Sequence, residues 1–152
     1  MSIEDDIAFL ERVPTLALLG RDALRILAIG AESRYLHDGG VLFTQGEPAD
    51  AGYVVQEGLL SLVRGRAEQL TVGPGTLLGE LALLTETMRP VTATAVEPST
   101  VIRIPRTLFL KMLEGYPEAA VRLRDSFIAR AEHSESDMHR VRRVLETDHP
   151  QS

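Results

Sequence analysis

The sequence predicts a mainly β domain, a sandwich or a barrel, with helices on both sides of it along the chain. From Tyr35 to Pro105, short β-branched and apolar stretches alternate with turn residues roughly every ten positions, which is typical of antiparallel sandwiches and barrels. Helical spacing of apolar residues occurs only before and after this region. A parallel sheet would need crossover helices of about a dozen residues, and the central region has no room for them.

The elements follow in order along the chain. Apolar residues at spacings of three and four predict two short helices before Ala31, with Gly20 and Gly30 at helix ends. Glycine- and proline-containing turns then separate the predicted strands, which cover 41–43, 53–55, 59–63, 70–72, 91–95 and 100–104.

Two helices are predicted after Pro105. Thr107 is expected to cap the first, which covers 108–113 and ends before Pro117. The second covers 118–146, and its first half is expected to pack on its own chain. It carries a heptad-spaced apolar track at Phe127, Ala131, Ser134, Met138, Val141 and Leu145. Because this track outlasts any neighbour that a small β domain could supply, we expect a partner helix and a homodimer.

Composition limits the possible functions. With 152 residues, 44% hydrophobic and 25% charged, the chain predicts one globular domain with appendages. A net charge of −6 argues against nucleic acid and anionic membranes as partners. The chain contains no cysteine, which excludes thiol chemistry. An acidic N-terminus and the lack of a long apolar run predict no signal peptide, no membrane span and a cytoplasmic location.

Metal binding and catalysis find no support in the sequence. The four histidines are scattered, and His133 and His139 are six positions apart, which is not metal-ligand spacing on a helix. No nucleophile elbow, carboxylate pair or phosphate loop of the Walker type occurs. The basic cluster of His139, Arg140, Arg142 and Arg143 is interpreted as a solvated helix face. We therefore expect neither a metal site nor an enzyme.

Residues 75–95 carry the chemistry. Gly79 allows a backbone to approach a ligand closely, and the run from Glu80 to Leu84 predicts one helical turn whose first N–H groups attract phosphate. Arg89 supplies a guanidinium that can bind two phosphate oxygens. A carboxylate at Glu80 makes sense beside a phosphate only if it accepts hydroxyl protons from a sugar of the same ligand. These residues predict a pocket for a nucleotide whose phosphate lies close to its ribose.

This stretch resembles a known family. The sequences GELALL at 79–84 and RPVTATA at 89–95 resemble the phosphate-binding cassette of cyclic nucleotide-binding domains, as in catabolite activator proteins and the regulatory subunits of protein kinase A. The resemblance extends from Phe9 to Ser136 and includes the segments 40–50, 53–58, 72–75 and 104–109. Several spaced motifs therefore agree at once.

The resemblance implies an eight-stranded β-roll of jelly-roll type (a double-stranded β-helix) with N-terminal helices and a long C-terminal helix. The implied segments are helices at 1–34, the cyclic nucleotide-binding roll with its following short helix at 35–116, a dimerisation helix at 117–147 and a tail at 148–152. In the implied site, Glu80 binds the ribose 2′-hydroxyl, Arg89 the cyclic phosphate, and Ser134 the base across the dimer. The remaining ligand-binding residues are Gly79, Leu81 and Ala82, through their N–H groups, with Pro90 and Val91.

Two positions depart from the family pattern. Pro90 stands where a small residue usually donates its N–H to the phosphate, and proline has none to donate. Losing one hydrogen bond to a charged acceptor costs about 1.5–3 kcal/mol, or roughly one to two decades of affinity. Leu78 replaces a common aromatic residue, which is a milder change.

Three functions follow as hypotheses. The first is a regulatory sensor that binds cAMP or cGMP, with cAMP favoured, and transmits occupancy through the helices after Pro105 to an unidentified regulated protein. The second is a protein-interaction module with a vestigial pocket. The third is the sensor part of a transcription regulator, although the chain is expected to end too soon after its long helix to include a DNA-binding domain.

Overall fold

The computed structural model describes residues 2–66 and 69–130. The N-terminal region forms three helices, α1 (Ile3–Leu10), α2 (Pro14–Ala17) and α3 (Arg21–Gly30), where the sequence predicted two. The extra helix begins at Pro14, because proline at a first helical position has the required backbone angle and needs no hydrogen bond for its nitrogen. Ser2 and Asp5 form a capping box at the start of α1.

Short strands follow, all paired antiparallel. One four-stranded sheet has the order β1-β10-β4-β7, a second has the order β2-β9-β5-β6, and β3 pairs with β8 alone. The two larger sheets face each other, and the mainly β class with flanking helices is confirmed. The strands are β1 (Glu32–Leu36), β2 (Val41–Phe43), β3 (Pro48–Ala49), β4 (Ala51–Glu57), β5 (Leu60–Val63), β6 (Leu70–Val72), β7 (Leu77–Leu78), β8 (Thr87–Met88), β9 (Thr92–Ala95) and β10 (Ser99–Pro105).

Helix α4 (Arg106–Gly115) starts directly after β10. Its N-cap is Pro105, without a side-chain hydrogen bond, so the predicted cap at Thr107 is wrong. Tyr116 interrupts the helix with a φ of −135° and a ψ of 72°, and helix α5 follows over 117–130. The remainder of the predicted long helix, with its track from Ala131 to Leu145, lies outside the described residues.

Apolar side chains form two separate cores. The helix-side core lies between one face of the β1-β10-β4-β7 sheet and helices α1 to α5, and the roll core lies between the two large sheets. Main members of the helix-side core are Ile7, Leu10, Leu24, Leu27, Leu83, Ile104, Phe109, Met112 and Leu123. Members of the roll core are Phe43, Ala51, Tyr53, Val55, Leu60, Leu78, Ala93, Ala95 and Val101. No helix in the described part of the chain has the length and apolarity needed to cross a bilayer.

Candidate functional site

The predicted ligand-binding residues lie mainly on one segment, 79–89, which we call the cassette segment. It starts after β7, forms a 3₁₀ turn at Leu81–Leu83 and ends after β8. Gly79 has a φ of +77°, and a methyl group on it would lie 2.6 Å from Nη1 of Arg89 and 3.1 Å from the carbonyl oxygen of Ala51. The backbone conformation and the two close neighbours together require glycine here. The structure thus brings Gly79 and Arg89 together, as the sequence predicted.

Arg89 is buried, with 4% of its surface exposed. Its backbone N–H donates to the carbonyl of Glu47 at 2.8 Å, and its carbonyl accepts from the N–H of Gly46 at 2.9 Å. Its Nη1 is buried and has no hydrogen-bond partner among the described residues. Burial lowers the pKa of Arg89, while Tyr53 and nearby carboxylates oppose that shift. The site therefore holds a buried guanidinium nitrogen that has no hydrogen-bond partner in the described part of the chain and lies beside Gly79.

Two aromatic rings face this guanidinium. Cζ of Arg89 lies 4.4 Å from the ring centroid of Phe43 and 5.4 Å from that of Tyr53. The ring centroids are 5.9 Å apart. Phe43 belongs to β2 and Tyr53 to β4, so each of the large sheets contributes one ring. These distances are within the range of cation–π contacts.

Glu80 makes its contacts on the opposite side, with the helices. Its carboxylate accepts a hydrogen bond from the hydroxyl of Thr15 on α2, and its second oxygen lies 2.7 Å from Nη1 of Arg130 on α5. The Glu80 side chain is 25% exposed. Arg130 also stacks on Phe127 of its own helix, with 4.4 Å between Cζ and the ring centroid. The carboxylate predicted to bind ribose thus connects the cassette segment to two helices.

The other predicted site residues differ in their environments. The N–H of Ala82 donates to the carbonyl of Gly79 at 3.0 Å within the 3₁₀ turn, so it is not free to bind a phosphate as predicted. The N–H groups of Gly79 and Leu81 precede the first donor of that turn and are not used by it. Pro90 is exposed, and Val91 packs against the roll core. Ser134, predicted to contact the base, lies outside the described residues.

Arg106 attaches the cassette segment to α4. Its Nη1 lies within 3.2 Å of three carbonyl oxygens, at 3.0 Å from Ala49, 3.2 Å from Ala82 and 2.9 Å from Thr85. Its backbone N–H donates to Asp50 at 2.9 Å. The first residue of α4 therefore contacts both the strand β3 and the cassette segment.

Sequence reasoning missed the partners of both charged site residues. Phe43 and Tyr53 are alternating core residues of predicted strands, which gives no sign that they meet an arginine. Thr15 and Arg130 are 65 and 50 positions from Glu80, and no local spacing relates them. The described residues contain no group of three or more His, Asp or Glu side chains placed to hold a metal.

A comparison with family models matches residues 33–116 to the cyclic nucleotide-binding domain. A cyclic nucleotide-binding-like protein from Brucella abortus is 39% identical, with a TM-score of 0.64, and the match covers 72% of this chain and 98% of that one. The N-terminal domain of a transcriptional regulator from Streptomyces coelicolor A3(2) is 31% identical, with a TM-score of 0.78, covering 86% and 94%.

Curated relatives share a smaller part. Lysophospholipase NTE1 of Chaetomium globosum is 33% identical over 90 residues, which are 56% of this chain and 6% of that protein. The corresponding enzyme of Neurospora crassa is 31% identical over 100 residues, 62% of this chain and 7% of the enzyme. The chain thus spans only about one-fifteenth of these relatives, and their catalytic activity is not transferred by the match.

Proposed function

This chain belongs to the cyclic nucleotide-binding domain family, and we propose that it is a regulatory sensor whose ligand is a 3′,5′-cyclic nucleotide, with cAMP favoured over cGMP. The observation that carries this proposal is the buried Nη1 of Arg89, which has no partner in the described part of the chain and faces Gly79. An unpaired charge taken out of water is costly. A bound phosphate would supply the missing acceptors once the backbone at Gly79 or the guanidinium has moved to admit it.

Binding at this site requires a local rearrangement. Nη1 of Arg89 is closed off from solvent, and Gly79 stands directly beside it. A phosphate therefore reaches this nitrogen only if the backbone near Gly79 shifts or the guanidinium turns. Pro90 provides no N–H to the ligand, so Arg89 and the amides of Gly79 and Leu81 would supply the phosphate contacts.

Glu80 supports the second half of the proposal, that occupancy is transmitted to the helices. Both of its carboxylate oxygens are in use, one by Thr15 and one by Arg130. A ribose hydroxyl that donates to this carboxylate would compete with α2 and α5 for the same oxygens. Ligand binding would thereby weaken the attachment of α5 to the roll, and the break at Tyr116 between α4 and α5 is where the helix direction could change.

Calorimetric titration with cAMP and cGMP tests the ligand. We expect the wild-type chain to bind and Arg89→Ala to lose affinity by at least about 100-fold, since two charge-assisted hydrogen bonds are lost. Arg124→Ala is the matched control, because Arg124 is 66% exposed and, among the described residues, forms an ion pair with its neighbour Asp125 alone. No heat from either nucleotide at millimolar concentration would contradict the sensor and leave the protein-interaction module as the better hypothesis.

Pulsed electron paramagnetic resonance tests the transmission. Since the chain contains no cysteine, spin labels can be placed at Val41→Cys on β2 and Ile128→Cys on α5, which are 56% and 47% exposed. We expect saturating cAMP to change the distance distribution, and Arg89→Ala to abolish that change. A labelled protein that binds cAMP without any change in distance would contradict transmission through α5.

Competition at Glu80 has its own test. Arg130→Gln removes one partner of the carboxylate, and by thermodynamic linkage it should tighten cAMP binding. Because Arg130 is 51% exposed, the gain should be modest, about 2- to 5-fold. A loss of affinity in Arg130→Gln would show that Arg130 supports the ligand-bound state instead.

A homodimer through the C-terminal helix remains part of the proposal. Val121 and Ile128 on α5 are seven residues apart and 45% and 47% exposed, and Ile128 directly follows the track residue Phe127, so they place apolar surface beside the predicted track. Phe127, the first residue of that track, packs against its own chain in the helix-side core. Sedimentation tests the dimer: Met138→Glu, at a predicted track position, should reduce the mass to that of a monomer.

The sensor part of a transcription regulator is a second candidate. Its support is the N-terminal domain of the Streptomyces coelicolor regulator, which matches over 94% of its length. Both candidates use the same ligand site and predict the same titrations.

A further inference from the structure

Arg89 faces two aromatic rings from opposite sheets, and this arrangement has a consequence for ligand binding. We propose that Phe43 and Tyr53 form an aromatic clamp, a pair of positioning residues that holds the charged Arg89 guanidinium directed at Gly79 before the ligand arrives. This inference rests on the proposed function, because the guanidinium is assigned to the ligand phosphate there.

The aromatic clamp stabilises the buried positive charge of Arg89. Arg89 is the one charged side chain that is buried within residues 2–66 and 69–130, and no carboxylate there lies within ion-pair distance of it. The electron-rich faces of the rings at 4.4 Å and 5.4 Å from Cζ attract the cation. An aromatic face stabilises the charge without occupying the N–H groups, so Nη1 stays available for an anion, whereas a carboxylate would compete with the phosphate.

The aromatic clamp also fixes the direction in which the Arg89 guanidinium points. An arginine side chain has several rotatable bonds, and holding it in one geometry costs conformational entropy. Here the backbone is fixed by hydrogen bonds to Gly46 and Glu47, and the far end is fixed by the rings. Tyr53 on β4 pairs with Leu78 on β7, one residue before Gly79, so the pairing of these two strands positions the ring relative to the glycine. Preorganisation of this kind raises affinity by reducing the ordering needed on binding.

Tyr53 also forms a hydrogen bond with Arg103, and the experiment must distinguish the effect of this bond from the effect of the ring on Arg89. Burial lowers the pKa of Arg103, but a hydrogen bond with Tyr53 and the charge of Asp50 outweigh it and raise that pKa. Replacing Tyr53 by leucine therefore removes both the ring and the hydroxyl. Tyr53→Phe removes only the hydroxyl and keeps the ring over Arg89.

Nuclear magnetic resonance of the ligand-free protein tests whether the clamp exists. Protons of a guanidinium stacked over aromatic faces are shifted upfield by ring currents. We expect upfield shifts for the Arg89 side chain in the wild type, and their reduction in Phe43→Leu. Ordinary random-coil shifts in the wild type would overturn the clamp without any ligand being added.

Calorimetric titration with cAMP tests what the clamp does. Phe43→Leu and Tyr53→Leu should each weaken binding about 10-fold, the change expected for loss of a desolvated cation–π contact. Tyr53→Phe should restore most of the affinity lost in Tyr53→Leu. Phe9→Leu is the matched control: Phe9 lies on α1, packs against the helix-side core and does not line the cavity beside Glu80, so its change should lower stability and leave affinity intact.

The outcomes separate the two claims. Unchanged cAMP affinity in Phe43→Leu and Tyr53→Leu, with a binding wild type, would overturn the clamp and leave the proposed function standing. An equal loss in Phe9→Leu would also overturn it, because the effect would then be general destabilisation. No binding by the wild type overturns the proposed function and the positioning role together. If Tyr53→Leu does not fold, the cAMP affinity of Phe43→Leu and the Arg89 resonances of the wild type still decide whether the clamp exists and contributes to binding.

Discussion

The helix-side core and the roll core bury different kinds of side chain. Large apolar residues such as Leu83 and Phe109 fill the helix-side core. The roll core contains three alanines, and the guanidinium of Arg89 lies against its two aromatic rings. Small side chains there leave space for a charged group. The comparison suggests that the helix-side core maintains the fold, while the roll core sacrifices some stability for a binding site.

The cassette segment belongs to both regions. Leu78, just before it, packs in the roll core, and Leu83, within it, packs in the helix-side core. Its two charged site residues lie on different sides of the segment. Arg89 faces the roll core, and Glu80 faces the helices, where it binds Thr15 and Arg130. A shift of this short segment would therefore disturb both cores at once. This position is the structural reason for expecting a ligand in the roll to affect the helices.

The largest effect on stability should come from the helix-side core. Leu24→Ala should lower the free energy of unfolding by about 2–5 kcal/mol, because Leu24 is fully buried on α3 and its truncation leaves a cavity among close-packed side chains. Urea denaturation measures this loss. At temperatures where the variant is folded, its cAMP affinity should match the wild type. A large loss of affinity in the folded variant would break the separation between the two cores.

Arg106 should come second, because it fixes the cassette segment to α4. Arg106→Met keeps most of the side-chain length but removes the hydrogen bonds to the carbonyls of Ala49, Ala82 and Thr85. Hydrogen bonds from a charged donor are worth about 1.5–3 kcal/mol, so we expect a loss of that order in the free energy of unfolding. Hydrogen exchange should increase selectively at the amides of residues 82–85. A uniform increase across the chain would show that Arg106 acts on the whole fold.

Replacing Arg89 should have the opposite effects: stability should be kept and nucleotide binding should be lost. Replacing a buried, unpaired charge by an apolar residue of similar size is often neutral or stabilising, so Arg89→Leu should keep the free energy of unfolding or raise it by about 1 kcal/mol. Nucleotide binding should be lost at the same time. A clear drop in stability would mean that Arg89 is a structural member of the roll core. The roll core would then not give up stability for its binding site.

The smallest effect should come from the surface pairs of the N-terminal helices. A hydrogen bond from Arg25 and its charge hold the pKa of Glu4 below the ordinary value of 4.5. The stabilisation is therefore present above the unfolded-state pKa and is lost as the pH falls through the lower folded-state pKa. Carbon-detected titration should show the Glu4 midpoint moving up in Arg25→Gln. Neither protonation of Glu4 nor the Arg25→Gln substitution should alter nucleotide affinity, since the Arg25–Glu4 pair is exposed and remote from Arg89.

Sequence alone determined the mainly β class, the flanking helices and the cassette segment with Gly79, Glu80 and Arg89, because these depend on local periodicity, turn residues and short spacing. It missed α2 and the true start of α4 at Arg106, since a four-residue helix has no period to detect and the strand β10 runs directly into the next helix.

Only the tertiary structure decided the environments of the two charged residues. The burial of Arg89 between Phe43 and Tyr53, and the attachment of Glu80 to Thr15 and Arg130, join positions far apart in the chain. Side-chain spacing shows which chemical groups are available, but burial, pairing and direction depend on how the sheets and helices close around them. Among residues 2–66 and 69–130, that closure buries Nη1 of Arg89 without a hydrogen-bond partner and gives the Glu80 carboxylate two partners.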